Sequence, residues 1–166
     1  MRRKQPVFVW TAVALSAILA AAVLATPGSG IVSGAIVARA SFLDDVDIKF
    51  KVDHGSQEIT QVRDARDTVM QKIVIAAGGT TGWHSHHGPA VALVTRGALT
   101  LYSSDDPSCA GRLYSAGAGF IDPGQGHVHL GRNESGTETE VWVTYFDVPP
   151  GQSVRVDAAD PGNCSF

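Results

Sequence analysis

Over much of the chain, apolar and polar positions trade places at every second residue. Val46–Val52 is the clearest case: Val46, Ile48, Phe50 and Val52 fall on one face, and Asp47, Lys49 and Lys51 on the other. That is the period of a half-buried strand. Gly97–Tyr102 sets Leu99 and Leu101 against Thr100 and Tyr102, and Thr137–Val148 runs from Glu138 and Glu140 into Val141, Val143 and Tyr145. Ile31–Ala40, Val69–Ala77 and Ala90–Thr95 are rich in β-forming residues, and Ser153–Val156 reads as a short closing strand. Turn formers separate these runs: Ala77-Gly78-Gly79, Arg96-Gly97, Asp105-Asp106-Pro107, Asp122-Pro123-Gly124, Asn133-Glu134-Ser135-Gly136 and Pro149-Pro150-Gly151. No window after Thr26 has a long helical period. The pattern predicts an all-β domain, a sandwich or barrel built from about Ile31 to Val156, with residues 31–166 as one unit. Leu93 and Val94 read as core and Trp83 as core or rim packing. Gly78, Gly97 and Gly126 read as turn positions with positive φ.

The first 25 residues break this pattern. Arg2, Arg3 and Lys4 precede a charge-free apolar run from Val7 to Ala25. A cationic start before such a run marks a secretory signal peptide or a membrane anchor. The run of 19 residues is long for a signal and just enough to span a bilayer as a transmembrane helix. Val23-Leu24-Ala25 offers small residues for cleavage after Ala25. Both readings put the body outside the cytoplasm, either secreted or anchored in the membrane. Residues 26–30, with Pro27–Gly30 at their centre, read as a linker.

Charge narrows the partners. The chain has 13 Lys and Arg against 16 Asp and Glu; without the three basic residues at its start the balance is 10 against 16. An acidic body is a poor nucleic-acid binder, because that affinity needs clustered cations. Membrane contact is therefore expected only through the N-terminal segment. Two cysteines, Cys109 and Cys164, make at most one bridge. An exported chain allows them to pair, closing a loop worth roughly 4 kcal/mol in the chain-entropy model; two unpaired thiols are the alternative. Two Asn-X-Ser sequons, at Asn133 and Asn163, are short enough to arise by chance.

The histidines carry the chemistry. Five of the six fall in two clusters, His84, His86 and His87, then His127 and His129. Residues two apart on a strand share a face, so each His-X-His pair presents two imidazoles together. Neutral imidazole is the commonest protein ligand for mid-row divalent metals. Two such pairs on different strands of one barrel can converge on one ion.

The spacing around them resembles the two motifs of the cupin family. Gly78, five residues, His84-Ser85-His86, three residues, Ala90, six residues and Gly97 look like the first motif. Gly117, five residues, Pro123, then Gly126, two residues, His129, three residues and Asn133 look like the second. Gly-Trp-His-Ser-His, Asp-Pro-Gly-Gln-Gly-His-Val-His and a cysteine near the end are similar to small exported cupin-domain proteins of actinobacteria. The resemblance implies a cupin-type antiparallel β-barrel or jelly roll behind an N-terminal signal or anchor helix. It also implies a divalent metal ion on His84, His86 and His129, with Fe, Zn, Mn, Cu and Ni not distinguished.

Two departures stand out. Pro123-Gly124-Gln125-Gly126 is one residue longer than the motif, and Ala90 stands where the motif has a ligating glutamate. His127 is a candidate fourth ligand. Asp122 and Glu134 flank the second cluster and read as exposed turn carboxylates, with a role as imidazole acceptors as the alternative. Tyr102, Tyr114 and Arg96 have no spacing that assigns them to a pocket. Two functions stay open: a binder of a small-molecule ligand, or a metal-dependent enzyme such as an oxygenase. No catalytic residue is assigned, and a homodimer is left open.

Overall fold

Where side chains alternate between core and solvent, the strands follow. In the computed structural model, which describes residues 24–53 and 57–166, there are twelve strands and, among the described residues, no helix. The basic start, the apolar run up to residue 23 and His54 lie outside the described residues.

One group of strands forms a sheet in the order β1 (Ser29–Ala40), β4 (Asp67–Thr80), β11 (Thr139–Val148), β6 (Ala90–Arg96), β9 (Gly119–Asp122). A second group runs β12 (Val156–Asp157), β5 (His84–Ser85), β10 (His129–Arg132), β7 (Ala98–Ser103), β8 (Arg112–Ser115). Every pairing is antiparallel, and the Arg132–Thr80 pair joins β10 to the end of β4, giving a nearly closed barrel. The hairpin of β2 (Ile48–Asp53) and β3 (Gln57–Val62) stands apart and leans on the barrel, with Phe50 5.6 Å from Phe146 ring to ring.

The core lies between the two groups. Thr139, Val141, Val143 and Tyr145 of β11 face inward, as do Ala90, Ala92 and Val94 of β6. They meet Val69 and Ile75 of β4 and Leu99 of β7. Each Val, Leu or Ile buried this way stabilises the fold by about 1.5–3 kcal/mol. Leu93, expected in the core, is instead 51% exposed. It is flanked on β6 by inward Ala92 and Val94, so the strand's own alternation turns it out. A second, smaller core of Trp83, Tyr102 and Leu130 sits under the C-terminal segment.

Most expected strands recur with shifted ends. Val69–Ala77 becomes the longer β4, and Ser153–Val156 shrinks to Val156–Asp157. β1 is exposed along all twelve residues although it is hydrogen-bonded to β4 at the sheet edge. The stretch 26–30 already contains the first residues of β1. Thr26 ties it down: its N–H donates to the Ala158 carbonyl at 3.0 Å, and its Oγ1 accepts from Trp83 N–H at 2.8 Å. Gly97 has φ of +71°, and a Cβ there would stand 2.6 Å from the Glu138 carbonyl oxygen, so the turn from β6 to β7 requires glycine.

Asn133 holds the turn after β10. It is fully buried, and its Nδ2 donates to the carbonyls of Ile75, Ala76 and Thr137 at 2.8–3.0 Å. Asn133→Ala strands those acceptors in the interior, and urea denaturation is expected to show a loss of about 3 kcal/mol. A loss below about 1 kcal/mol would mean that the carbonyls find other donors.

Candidate metal centre

The two histidine motifs meet because β5 is laid between two partners. His84 is in register with His129 of β10 on one side and with Asp157 of β12 on the other. His86 follows β5, and its carbonyl accepts from Gly126 N–H at 3.3 Å, which links the two motif turns. Gly124 makes that approach tight, since a Cβ there would lie 1.9 Å from the Gly88 carbonyl oxygen. The additional residue of Pro123-Gly124-Gln125-Gly126 is absorbed in this turn, with Gln125 at φ of +52°.

The structure brings His84, His86 and His129 together. Their ring centroids are 4.4, 4.9 and 5.1 Å apart, and one ring nitrogen of each lies within 4.8 Å of those of the others. All three are buried. The Nδ1 of His84 lies 2.8 Å from the Gly82 carbonyl oxygen, and the Nδ1 of His86 lies 2.7 Å from that of Val154. A carbonyl only accepts, so each neutral ring must donate from Nδ1 and keep its lone pair on Nε2. His129 turns Nδ1 towards Asp122 Oδ1 at 3.3 Å, off the line of a hydrogen bond. The Nε2 atoms of His84 and His86 are thus the nitrogens left for a ligand.

Burial, followed by the neighbouring imidazoles of His129 and His86, pushes His84 down to about 2. Burial and His129 push His86 down to about 4. Both rings are therefore neutral at physiological pH, the form that binds metals. Three buried imidazole donors, two of them held neutral, fit a divalent ion of the Fe, Zn, Cu, Ni or Mn type.

Asp122 is the residue that sequence reasoning placed wrongly. It is 3% exposed rather than a surface turn carboxylate. Val69, Tyr145, Ala90 and Asp122 stand opposite one another across β4, β11, β6 and β9, and Ala90 faces inward, so Asp122 does too. The period-2 relation to Phe120 in Gly119–Asp122 was the available signal. Burial works to raise the Asp122 carboxyl, but the imidazoles of His127 and His129 outweigh it and hold it below the usual carboxylate range. Glu134 is an exposed turn carboxylate, as expected, and accepts from Tyr102 Oη at 2.7 Å.

His127 does not share a strand face with His129, because β10 begins at His129 and His127 lies in the preceding turn. Its ring still stacks on His129, 5.8 Å away and inclined by 20°. Both of its nitrogens are engaged, Nδ1 with Asp122 Oδ1 at 2.8 Å and Nε2 with Ser103 Oγ at 3.0 Å. Asp122, His127 and His129 also lie within ligating distance of one another. The direct hydrogen bond between the first two makes them an orienting pair rather than a second cage.

Two spaces border the trio. An inner one of about 50 Å³ is lined by all three histidines, Ala90, Asp122 and core side chains. An outer one of about 330 Å³ has His84 and His86 at its base, with Ile31 of β1, Gln71, Tyr145 and Arg155 around it. Tyr145 packs on the His86 ring at 4.8 Å and donates to Gln71 Oε1 at 2.9 Å. Of the other residues weighed from the sequence, Tyr114 packs on Phe120 in the core and Arg96 pairs with Glu138 at the surface.

No protein-family model and no curated relative matches the chain. Among solved structures it is similar to an oxalate oxidase, at 26% identity over 48% of this chain and 41% of that one, with a TM-score of 0.42. It is also similar to the polyketide cyclase of Streptomyces resistomycificus, at 19% identity over 50% and 56%, with a TM-score of 0.44. A cupin-superfamily protein of Desulfitobacterium hafniense gives 10% identity over 63% and 79%, with a TM-score of 0.41. The chain spans less than two thirds of the length of the first two.

The hydrogen bond from His127 to Asp122 raises the imidazole pKa above its ordinary value. In an Asp122→Asn variant the ring is expected to titrate at lower pH, read from its NMR signals across a pH series. An unchanged titration would assign the effect to another group.

Proposed function

We propose that this chain is a cupin-type domain that holds one divalent metal ion on His84, His86 and His129 and binds a small molecule in the outer space beside it. The observation that carries this reading is the convergence of three buried imidazoles, one ring nitrogen of each within 4.8 Å of the others, with Nδ1 of His84 and His86 turned to carbonyl oxygens. The two motif spacings and the antiparallel barrel support it. A bound ion supplies a Lewis acid at the base of the outer space. The chain's own residues do the rest. The carbonyls of Gly82 and Val154 fix two rings, Asp122 faces the third, and Ile31, Ile73, Tyr145 and Val154 wall the outer space with apolar surface.

The make-up of that wall supports binding. Besides the two histidines, its side chains offer hydroxyls, one amide and Arg155, which can hold a small molecule by hydrogen bonds.

The reading extends to location. The cationic start with its long apolar run, and the joined Cys109 and Cys164, support a body acting outside the cytoplasm, released or tethered by its N-terminal segment. Cell fractionation with non-reducing mass spectrometry tests this; cytosolic protein that retains its first residues overturns it.

Elemental analysis of untagged protein tests the metal. Wild type is expected to carry about one ion per chain, and a His84→Ala/His86→Ala double variant almost none. Equal content in both ends the proposal. Asp122→Asn is expected to keep the ion with affinity weakened roughly 10–100-fold, because it removes the carboxylate behind His129. Oxygen uptake by the Fe(II)-loaded protein over a panel of small molecules separates binder from oxygenase. Uptake that depends on both a substrate and His129 favours the enzyme.

A further inference from the structure

The segment after β11 returns across the barrel and touches the histidines from behind. The Val154 carbonyl accepts from His86 Nδ1 at 2.7 Å. Val156 and Asp157 pair with Ser85 and His84. Arg155 donates from Nη1 to the Thr81 carbonyl at 2.6 Å and is paired with Asp157. Ala158 N–H donates to the Trp83 carbonyl at 3.1 Å. β5 has two residues, with one register pair to β10 and two to β12, so this strap supplies most of the ladder that holds it.

Val154 is buried in the main core, but beyond the ladder with β5 the strap is thinly covered. Val156 is 41% exposed, and residues 160–162 are exposed. Its far end is fastened at one place. Cys164 is bonded to Cys109 with their Cα atoms 5.3 Å apart, and both pack on Trp83, Tyr102 and Leu130. Beside them Asn163 Nδ2 donates to the carbonyls of Ser103 and Asp106 at 3.0 and 2.7 Å, and Phe166 stacks edge-on to Tyr102.

We propose that Ser153–Cys164 is a positioning strap for His84 and His86, and that the Cys109–Cys164 disulfide sets how firmly it holds them. Opening the disulfide then weakens metal binding. This rests on the metal reading above. A segment held by few contacts opens locally once its anchor is released. His86 then loses the carbonyl that orients its ring, and the loss of such a partner weakens metal affinity roughly 10–100-fold. Opening takes two electrons: a dithiol reductant breaks the S–S bond, leaves Cys109 and Cys164 as thiols and becomes a disulfide itself. The strap also walls the outer space through Ser153, Val154 and Arg155, so the same event loosens the ligand site.

The test compares full-length wild type with a Cys109→Ser/Cys164→Ser variant, which removes the bridge without adding a metal-chelating thiol reagent. Calorimetry with Co(II) reads the affinity, and hydrogen exchange reads residues 84–86 and 154–158. The variant is expected to bind Co(II) 10–100-fold more weakly and to exchange faster in both segments, while β4 and β11 stay protected. Equal affinity and equal exchange overturn the proposal. If neither protein binds Co(II), the metal reading fails, and the exchange data alone decide the strap. Val156→Pro keeps the disulfide, interrupts the ladder beside β5 and covers the case of a double variant that does not fold. It is expected to show the same weakening, and a full-strength site in it overturns the strap.

Discussion

A neutral imidazole has two nitrogens and one proton, and the site depends on where that proton is placed. Carbonyl oxygens stand behind His84 and His86, and a carboxylate stands behind His129, so each ring is asked to put its proton away from the others. One nitrogen of each ring lies within 4.8 Å of the others in a buried space. Burial then disfavours protonation of the first two rings, because no solvent is at hand to stabilise the charge. Without those acceptors the same three rings are free to take the other tautomer and turn away.

Meeting that condition shapes much of the surrounding fold. The acceptor behind His84 is local, two residues back. The one behind His86 is 68 residues away, which requires the chain to cross the barrel after β11. The carboxylate behind His129 is carried inward by the alternation of β9, opposite a side chain small enough to leave it room. Close backbone approach at Gly124 lets the turn before His129 lie against the turn after His86.

Period and spacing made the strands and the trio legible. The alternation of Val46–Val52 and of the second half of Thr137–Val148 recurs in the burial of β2 and β11. His84, His86 and His129 sit together as the two-motif spacing implied, and Cys109 and Cys164 are joined. What the sequence concealed depended on long-range partners. Asp122 sits in a run of turn formers, and only its pairing opposite Ala90 reveals that it points inward. His127 follows the spacing of a strand residue but lies in a turn, since β10 starts two positions later. Leu93 has a core composition, yet its neighbours on both sides take the inward positions. Both sequon asparagines have their side-chain nitrogens committed to backbone carbonyls, a use no tripeptide pattern announces.

The bond between His86 and Val154 has a consequence for the order of events in the life of the chain. A ribosome or a translocation pore delivers the N-terminal end first. β4, β5 and β6 are therefore available long before the residue that orients His86 emerges. Contacts so far apart in sequence close late, because the loop between them must first be organised. Until Val154 arrives, His84 and His129 already have oxygens behind them, and His86 alone has none. The direction of the His86 ring is therefore fixed late in folding, after the strands that carry His84 and His129 have formed.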